Sequence, residues 1–597
     1  MKKSCHIIVS FVFATAIIFF ISACGTKKVN EESSQDALFE VFKDYFVEEC
    51  FRISPTTALY AGKHDFDSIL LIPSTTLFES QTAQFIALQD SLSKFDEKKL
   101  SEANRIDFKI IRDKINGEIW YAKEFRSYEW DPSFLNVAGG FAEILNGRYA
   151  RLETRLTNFG RRMENVAAFY AEGMKLITSP TIEHTDLAIL QNEGSCEEVF
   201  GKSLRDSINS SSLSDEEKNR LYVLADTAKQ AMLSYAGWLK EKRKSMTIDN
   251  SRSFRIGKEL FDKKFEHDIV SQFSAEQMYD KAMKRKAEIH HEMADLARQL
   301  WPKYFKEEKM PADSLLLIRK VIDKLSLNHV KPDDFLPAIE KQIPDLVNFI
   351  NEKKLIYIDP AKPLKVRKTP GYMEGGGAGA SISAPGPFDK DANTYYNVSP
   401  LTDYTPEAAE SYLREYNHYV LQILNIHEAI PGHYTQLVYS NNSPSLIKSL
   451  FGNGAMVEGW AVYSERMMLE NGYGNNEPEM WLCYYKWHLR SVCNTILDYS
   501  VHVLSMNEED AKRLLMEGDF QQEAEAAGKW RRVKLTQVQL CSYFTGFTEI
   551  YSLRSEMQDK LGSDFDLKKF HEQFLSYGSA PVKYIRELML SSEADKK

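Results

Sequence analysis

The sequence predicts a large, mainly α-helical fold with a small β element, and three observations carry that prediction. From residue 37 onward the apolar residues recur mostly at helical spacing, helix-capping patterns stand where such runs begin, and strand-like alternation is scarce. Ser214-Asp-Glu-Glu217 opens LYVLADTAKQAMLSYAGWLKEK, and Ser274-Ala-Glu-Gln277 opens MYDKAMKRKAEIHHEMADLARQLW. Both fit the capping box, in which a serine hydroxyl and an acid or amide three residues later satisfy each other's free backbone N–H. No internal repeat or low-complexity block interrupts the pattern.

Each region has its own reading. Lys2 and Lys3, an apolar run from Ile7 to Ile21 and then Ser22-Ala23-Cys24-Gly25 form the charged, hydrophobic and small-residue parts of a signal peptide over residues 1–23. The stretch Ile21-Ser22-Ala23-Cys24 resembles the bacterial lipobox, which implies cleavage before Cys24, lipid attached to that cysteine and a place in the cell envelope. Residues 24–36 then read as the lipidated cysteine and a polar tether. The rest is too long for one average domain, so two lobes are expected, an N-terminal helical lobe at 37–260 and a catalytic helical region at 261–597. The Gly-, Pro- and Ser-rich stretch from Thr369 to Pro400 is either a flexible loop or a glycine-hinged turn leading into two short extended pieces, ASIS and TYYNVS. It lacks the Lys-Ser/Thr ending of a phosphate-binding loop. After it, Thr405-Pro406-Glu407 starts a helix that the periodicity carries directly into His427.

Composition excludes some functions. The net charge is -10 and the basic residues are scattered, which argues against a nucleic-acid partner. Cys50, Cys196, Cys483, Cys493 and Cys541 are odd in number and form no C-x-x-C pair. They offer neither a disulfide framework nor a cysteine-rich zinc site, and buried apolar positions suit them.

The chemistry concentrates in Asn425–Leu437, NIHEAIPGHYTQL. Positions six apart on a straight helix point roughly 120° away from each other, so His427 and His433 share a metal only if the chain bends between them. Pro431-Gly432 is a natural place for that bend. Glu428 then stands where a metallopeptidase keeps its general base. A third ligand is expected from the stretch beginning at Gly452, where Glu458 and Glu465 lie on one helix face. Glu458 is the ligand, beside a Gly459 that lets a backbone approach a metal, and Glu465 orients a histidine from behind. Other His-Glu pairs, His291-Glu292 and His571-Glu572, have no second histidine at useful spacing and read as solvated surface.

His427-Glu428-Ala-Ile-Pro431-Gly432-His433 and Glu458-Gly459-Trp460-Ala461 resemble the H-E-x-x-P-G-H and E-G-W-A motifs of a bacterial family known mainly by a domain-of-unknown-function label. The similarity extends over Arg490–His502 (RSVCNTILDYSVH) and over Gln539, Tyr543, Gly546, Arg554, Phe570-His571 and Gly578. That family is regarded as zincin-like, similar in outline to the helical, deep-clefted peptidases of the angiotensin-converting-enzyme, oligopeptidase and thermostable carboxypeptidase type, whose metal-binding histidines are four residues apart. The resemblance implies a two-lobed helical fold with a deep cleft, one zinc per chain held by His427, His433 and Glu458, and Glu428 as base in the hydrolysis of peptide bonds in oligopeptides. By the same likeness Tyr543 or His571 would stabilise the developing oxyanion, although each sits equally well as a packed helix residue. Arg490 and Arg554 suit a substrate carboxylate or, more commonly, a structural ion pair. A zinc hydrolase of a non-peptide amide or ester, or a non-catalytic peptide-binding lipoprotein, would draw on the same residues.

Overall fold

The structure is a computed structural model that describes residues 31–369, 380–389, 393–401 and 404–592. The signal peptide, Cys24, most of the tether and the glycine-rich part of the 369–400 stretch lie outside the described residues. The chain is mainly α-helical, as its periodicity predicts, with one three-stranded sheet. The helices that matter below are α1 (Glu31–Ile53), α2 (Asp215–Lys244) and α3 (Ala275–Phe305). The two long ones start at the predicted capping boxes, with both reciprocal hydrogen bonds made at Ser214/Glu217 and at Ser274/Gln277. No helix of the described residues is long and apolar enough to cross a membrane.

The sheet joins β1 (Lys365–Lys368), β2 (Ala380–Ser383) and β3 (Tyr395–Val398) in the order β1-β3-β2. β1 runs parallel and β2 antiparallel to β3, with Tyr396 opposite Val366 on one side and Ile382 on the other. The two extended pieces foreseen in the sequence are β2 and β3. Beyond the sheet lie α4 (Pro406–Glu415), α5 (His418–Glu428), α6 (His433–Asn441), α7 (Gly454–Glu470), α8 (Pro478–His502), α9 (Glu523–Leu535) and α10 (Ser542–Leu561).

The single helix expected from Thr405 to His427 is two. Asn417 interrupts it: its side chain accepts from the backbone N–H groups of Tyr419 and Val420, capping a new helix, while Tyr416 leaves the helical conformation (φ -94°, ψ 51°). A side chain that offers the backbone this alternative competes with helix continuation, and apolar periodicity does not register the competition.

One apolar core joins residues from Phe39–Ile115 with residues from Phe261 to Met589, so segments distant in sequence share it. A second is built between Leu59 and Leu239 and includes the buried face of α2. All five cysteines of the described residues are free and buried. The closest helix contact is between α7 and α10. A Cβ on Gly546 would come within 1.7 Å of the Ala455 carbonyl oxygen, and one on Gly459 within 2.3 Å of the Gly546 backbone. Gly459 therefore serves helix packing, which corrects the expectation that it lets a backbone approach a metal. The crossing sets how α7 presents its other face, the one carrying Glu458 and Glu465.

Candidate metal centre

The bend between the histidines is a complete break. α5 ends at Glu428, Ala429 departs from helical geometry (φ -104°, ψ -93°), the Ile430–Pro431 peptide is cis, and α6 begins after Gly432 (φ -71°, ψ -129°). The Gly432 N–H returns to the Ile426 carbonyl at 2.9 Å. A Cβ at Gly432 would lie 1.8 Å from the His427 carbonyl oxygen, so only glycine lets the chain double back this tightly. Trp460 secures the turn from α7 by donating its Nε1–H to the Pro431 carbonyl at 2.8 Å.

This turn brings the two rings together, with centroids 4.8 Å apart and planes at 87°. The Glu458 carboxylate completes a group in which one ligand atom from each of the three side chains lies within 4.8 Å of the others. Glu458 Oε2 is 3.4 Å from His433 Nε2 and 3.9 Å from His427 Nε2. A tetrahedral zinc with bonds of about 2.0–2.1 Å needs ligand atoms about 3.3 Å apart, so two imidazole nitrogens and one carboxylate oxygen at these separations fit that ion. Three candidate ligands would leave a fourth position open, the number that catalytic rather than structural zinc uses.

Behind His427 stands Glu465. Its Oε1 accepts from His427 Nδ1 at 2.6 Å and from Trp487 Nε1 at 2.9 Å, and its side chain is wholly buried. The contact fixes the tautomer that leaves Nε2 free to face Glu458. Burial alone would lower the His427 pKa, but the Glu465 hydrogen bond and charge outweigh it and carry it up to about 9.

The two carboxylates nearest the histidines differ. Burial raises both pKa values, yet at Glu458 the His433 contact and the His427 charge win and the net shift is downward. At Glu428 burial prevails over His433 and His427, and the net shift is upward. Glu428 is half-buried and makes no hydrogen bond or ion pair among the described residues. It is thus free to take up a proton, whereas Glu458 is held in its anionic, ligand form. From the far side, the Tyr396 hydroxyl donates to Asn425 Oδ1 at 2.9 Å, tying β3 to α5 two residues before His427.

Of the remaining predicted residues, Tyr543 is close enough for the Glu458 charge to add to burial in raising its pKa, so its hydroxyl stays protonated. His571 is part of the packing: it is fully buried, Nδ1 donates to the Leu355 carbonyl at 2.8 Å, and Nε2 accepts from the Tyr463 hydroxyl at 2.8 Å. Burial drives its pKa down to about 4. Arg490 is held by Glu415 and Glu525, each at 3.0 Å, and Arg554 by Glu470 at 2.9 Å. Both arginines therefore have their acids within the protein.

One residue at the centre escapes the sequence. Arg532, on α9, donates to the Tyr543 hydroxyl at 3.0 Å and to Gln539 Oε1 at 2.7 Å, and its charge helps to lower the Glu458 pKa. In GKWRRVKL it looks like any solvated helix cation. The segment from α9 to α10 is held from behind by α8. The Asp498 carboxylate accepts from the N–H groups of Val538 and Leu540, both at 3.1 Å, and His502 Nε2 donates to the Val533 carbonyl at 2.8 Å.

The family model described as "Bacterial protein of unknown function (DUF885)" matches residues 55–589. The solved structure of a candidate lipoprotein of unknown function from Shewanella oneidensis is 54% identical, with a TM-score of 0.84 over 92% of this chain and 99% of that one. A candidate lipoprotein from Colwellia psychrerythraea is 18% identical, with a TM-score of 0.76 over 95% of this chain and 99% of that one, a likeness of fold. No curated protein matches the chain.

Proposed function

The chain belongs to the DUF885 family of bacterial proteins of unknown function, and on that premise we propose that it is a zinc-dependent hydrolase of peptide bonds in oligopeptides, held in the cell envelope by lipid on Cys24. The observation that carries the reading is the convergence of His427, His433 and Glu458 within 4.8 Å, with Glu465 locking one histidine and Glu428 beside them. A purely structural metal site has no use for the adjoining unpaired carboxylate. His427, His433 and Glu458 would hold the zinc, which would supply Lewis acidity near neutral pH.

The chain's own residues supply the rest. Glu428, its pKa raised by burial, takes the proton from the attacking water and returns it to the leaving amine. The Tyr543 hydroxyl, which accepts from Arg532 and keeps its own proton, is the donor available to the developing oxyanion. Lipid attachment draws on the lipobox-like stretch ending at Cys24 and on the lipoprotein description of the Shewanella oneidensis relative.

The first test is elemental analysis of the mature protein beside a His427→Ala/His433→Ala double variant. The expected result is about one zinc per chain, lost in the variant. Glu428→Gln should keep the zinc and still bind peptides while hydrolysis of a peptide library falls by about 10²–10⁴. A wild type that binds no more zinc than the double variant, or a Glu428→Gln protein with undiminished hydrolysis, would overturn the reading.

A further inference from the structure

On α9, whose Arg532 acts on the charge of Glu458, two cations form no direct ion pair among the described residues. Arg532 has no carboxylate within 4.0 Å among the described residues, and its only hydrogen bonds are to the neutral Gln539 and Tyr543. Lys529 precedes it by three residues on the same face of α9 and makes no hydrogen bond or ion pair among the described residues. Both side chains are part-exposed, so a ligand can reach them. The buried cations of neighbouring α8 are matched: Lys486 and Arg490 share Glu415, and Arg490 also holds Glu525. Lys529 instead feels the like charges of Arg490 and Arg532, which add to burial in bringing its pKa down to about 7, against the weaker pull of Glu525 and Asp519. Two cations kept together without a direct ion pair mark a place prepared for an anion from outside.

We propose that Lys529 and Arg532 form an anion subsite beside the metal centre, and that its ligand is a peptide with a free C-terminal carboxylate. The inference rests on the reading of this site as peptide-binding and deepens it. Arg532 reaches the subsite and the Tyr543 hydroxyl at once and acts on the charge of Glu458, so a carboxylate held there is close to the metal-binding group. Every peptide carries a carboxylate at its end, whereas an acidic side chain at one fixed position would restrict the substrates to few sequences. The protein would then remove residues from the C-terminal end of short peptides rather than cut within long chains.

The test is equilibrium binding of three tripeptides to the Glu428→Gln protein, with and without added zinc. One peptide has a free C-terminus and no acidic side chain, the second is its C-terminal amide, and the third is an amide carrying a glutamate. The free acid should bind roughly tenfold or more tightly than its amide. Arg532→Gln and Lys529→Met should each reduce that preference without weakening the amide. Lys529→Met touches no hydrogen bond, so it serves if Arg532→Gln disturbs Tyr543. Equal binding of acid and amide, or no binding of either, overturns the subsite, and preference for the glutamate amide alone overturns the terminal assignment. Preferential binding of the acid without hydrolysis by the zinc-loaded wild type leaves the subsite standing and the hydrolase reading refuted. Equal cleavage of acid and amide does the reverse.

Discussion

A single residue without a side chain decides whether the two histidines meet. Gly432 lies so close to the His427 carbonyl that an added methyl group must push the two strands of the turn apart. Gly432→Ala should therefore destabilise the protein by about 1–3 kcal/mol and weaken zinc binding, as measured by urea denaturation and by competition with a chelator. Unchanged values in both would show that the turn tolerates the methyl. The residues that were legible in the sequence share this local character. His427, Glu428, His433, Glu458 and Glu465 fall within one short stretch, where the chemistry required of a metal site constrains spacing. The sequence leaves Arg490 and Arg554 open between a substrate carboxylate and a structural ion pair, because their acids Glu415, Glu525 and Glu470 are assigned to them only by the fold. Arg532 is the converse case, an unremarkable arginine made significant by the lack of an acid partner among the described residues, which no local pattern encodes.

At the scale of elements, α8 acts as the support for the α9–α10 segment. Asp498 is the fixed point, and burial pushes its carboxyl up to about 7 against the two N–H groups that pull it down. An aspartate in the unfolded chain titrates near 3.9. Between about pH 4 and 7 the folded chain thus keeps a proton that the unfolded chain has released, and the stability gained this way is lost as the pH rises toward 7. Asp498→Asn removes that titration, so its stability relative to wild type should improve from pH 5 to pH 7. Denaturation curves across that range check the sign, and parallel profiles for the two proteins would contradict it. The helix starts at Ser214, Ser274 and Thr405 were predictable from apolar period and caps. The break at Asn417 was not, since an asparagine inside an apolar run shows its capping role only when its side chain is seen to fold back on the next turn.

For the molecule as a whole, a buried polar knot ties distant segments together. Asp107 accepts from Lys43 of α1 at 3.0 Å, from the Ser445 hydroxyl at 2.8 Å and from Lys448, and Lys43 also reaches Asn104 at 2.9 Å. The carboxylate is almost wholly buried and is shared by two lysines that water scarcely reaches, of which Lys43 also pairs with the exposed Glu40 at 2.8 Å. Asp107→Asn should cost about 3–5 kcal/mol, because it leaves the Lys448 ammonium enclosed without a carboxylate and Lys43 with Glu40 alone. A loss within 1 kcal/mol on chemical denaturation would show that they escape to solvent.

The sharing of one core by residues 39–115 and 261–589 also bears on how fast the native state is reached. Individual helices form within microseconds, but contacts between the ends of a long chain wait on loop closure and on most of the polypeptide being present. Tyr584 and Glu587, in the helix Val582–Ser592, pair with Asp113 and Lys109, and Ser591 pairs with Glu102. A chain emerging from its N-terminus would display one side of the helix Glu102–Trp120 until that last helix arrived. Folding should accordingly be slow and dependent on protection from aggregation, and a version ending before Val582 should accumulate as a collapsed intermediate.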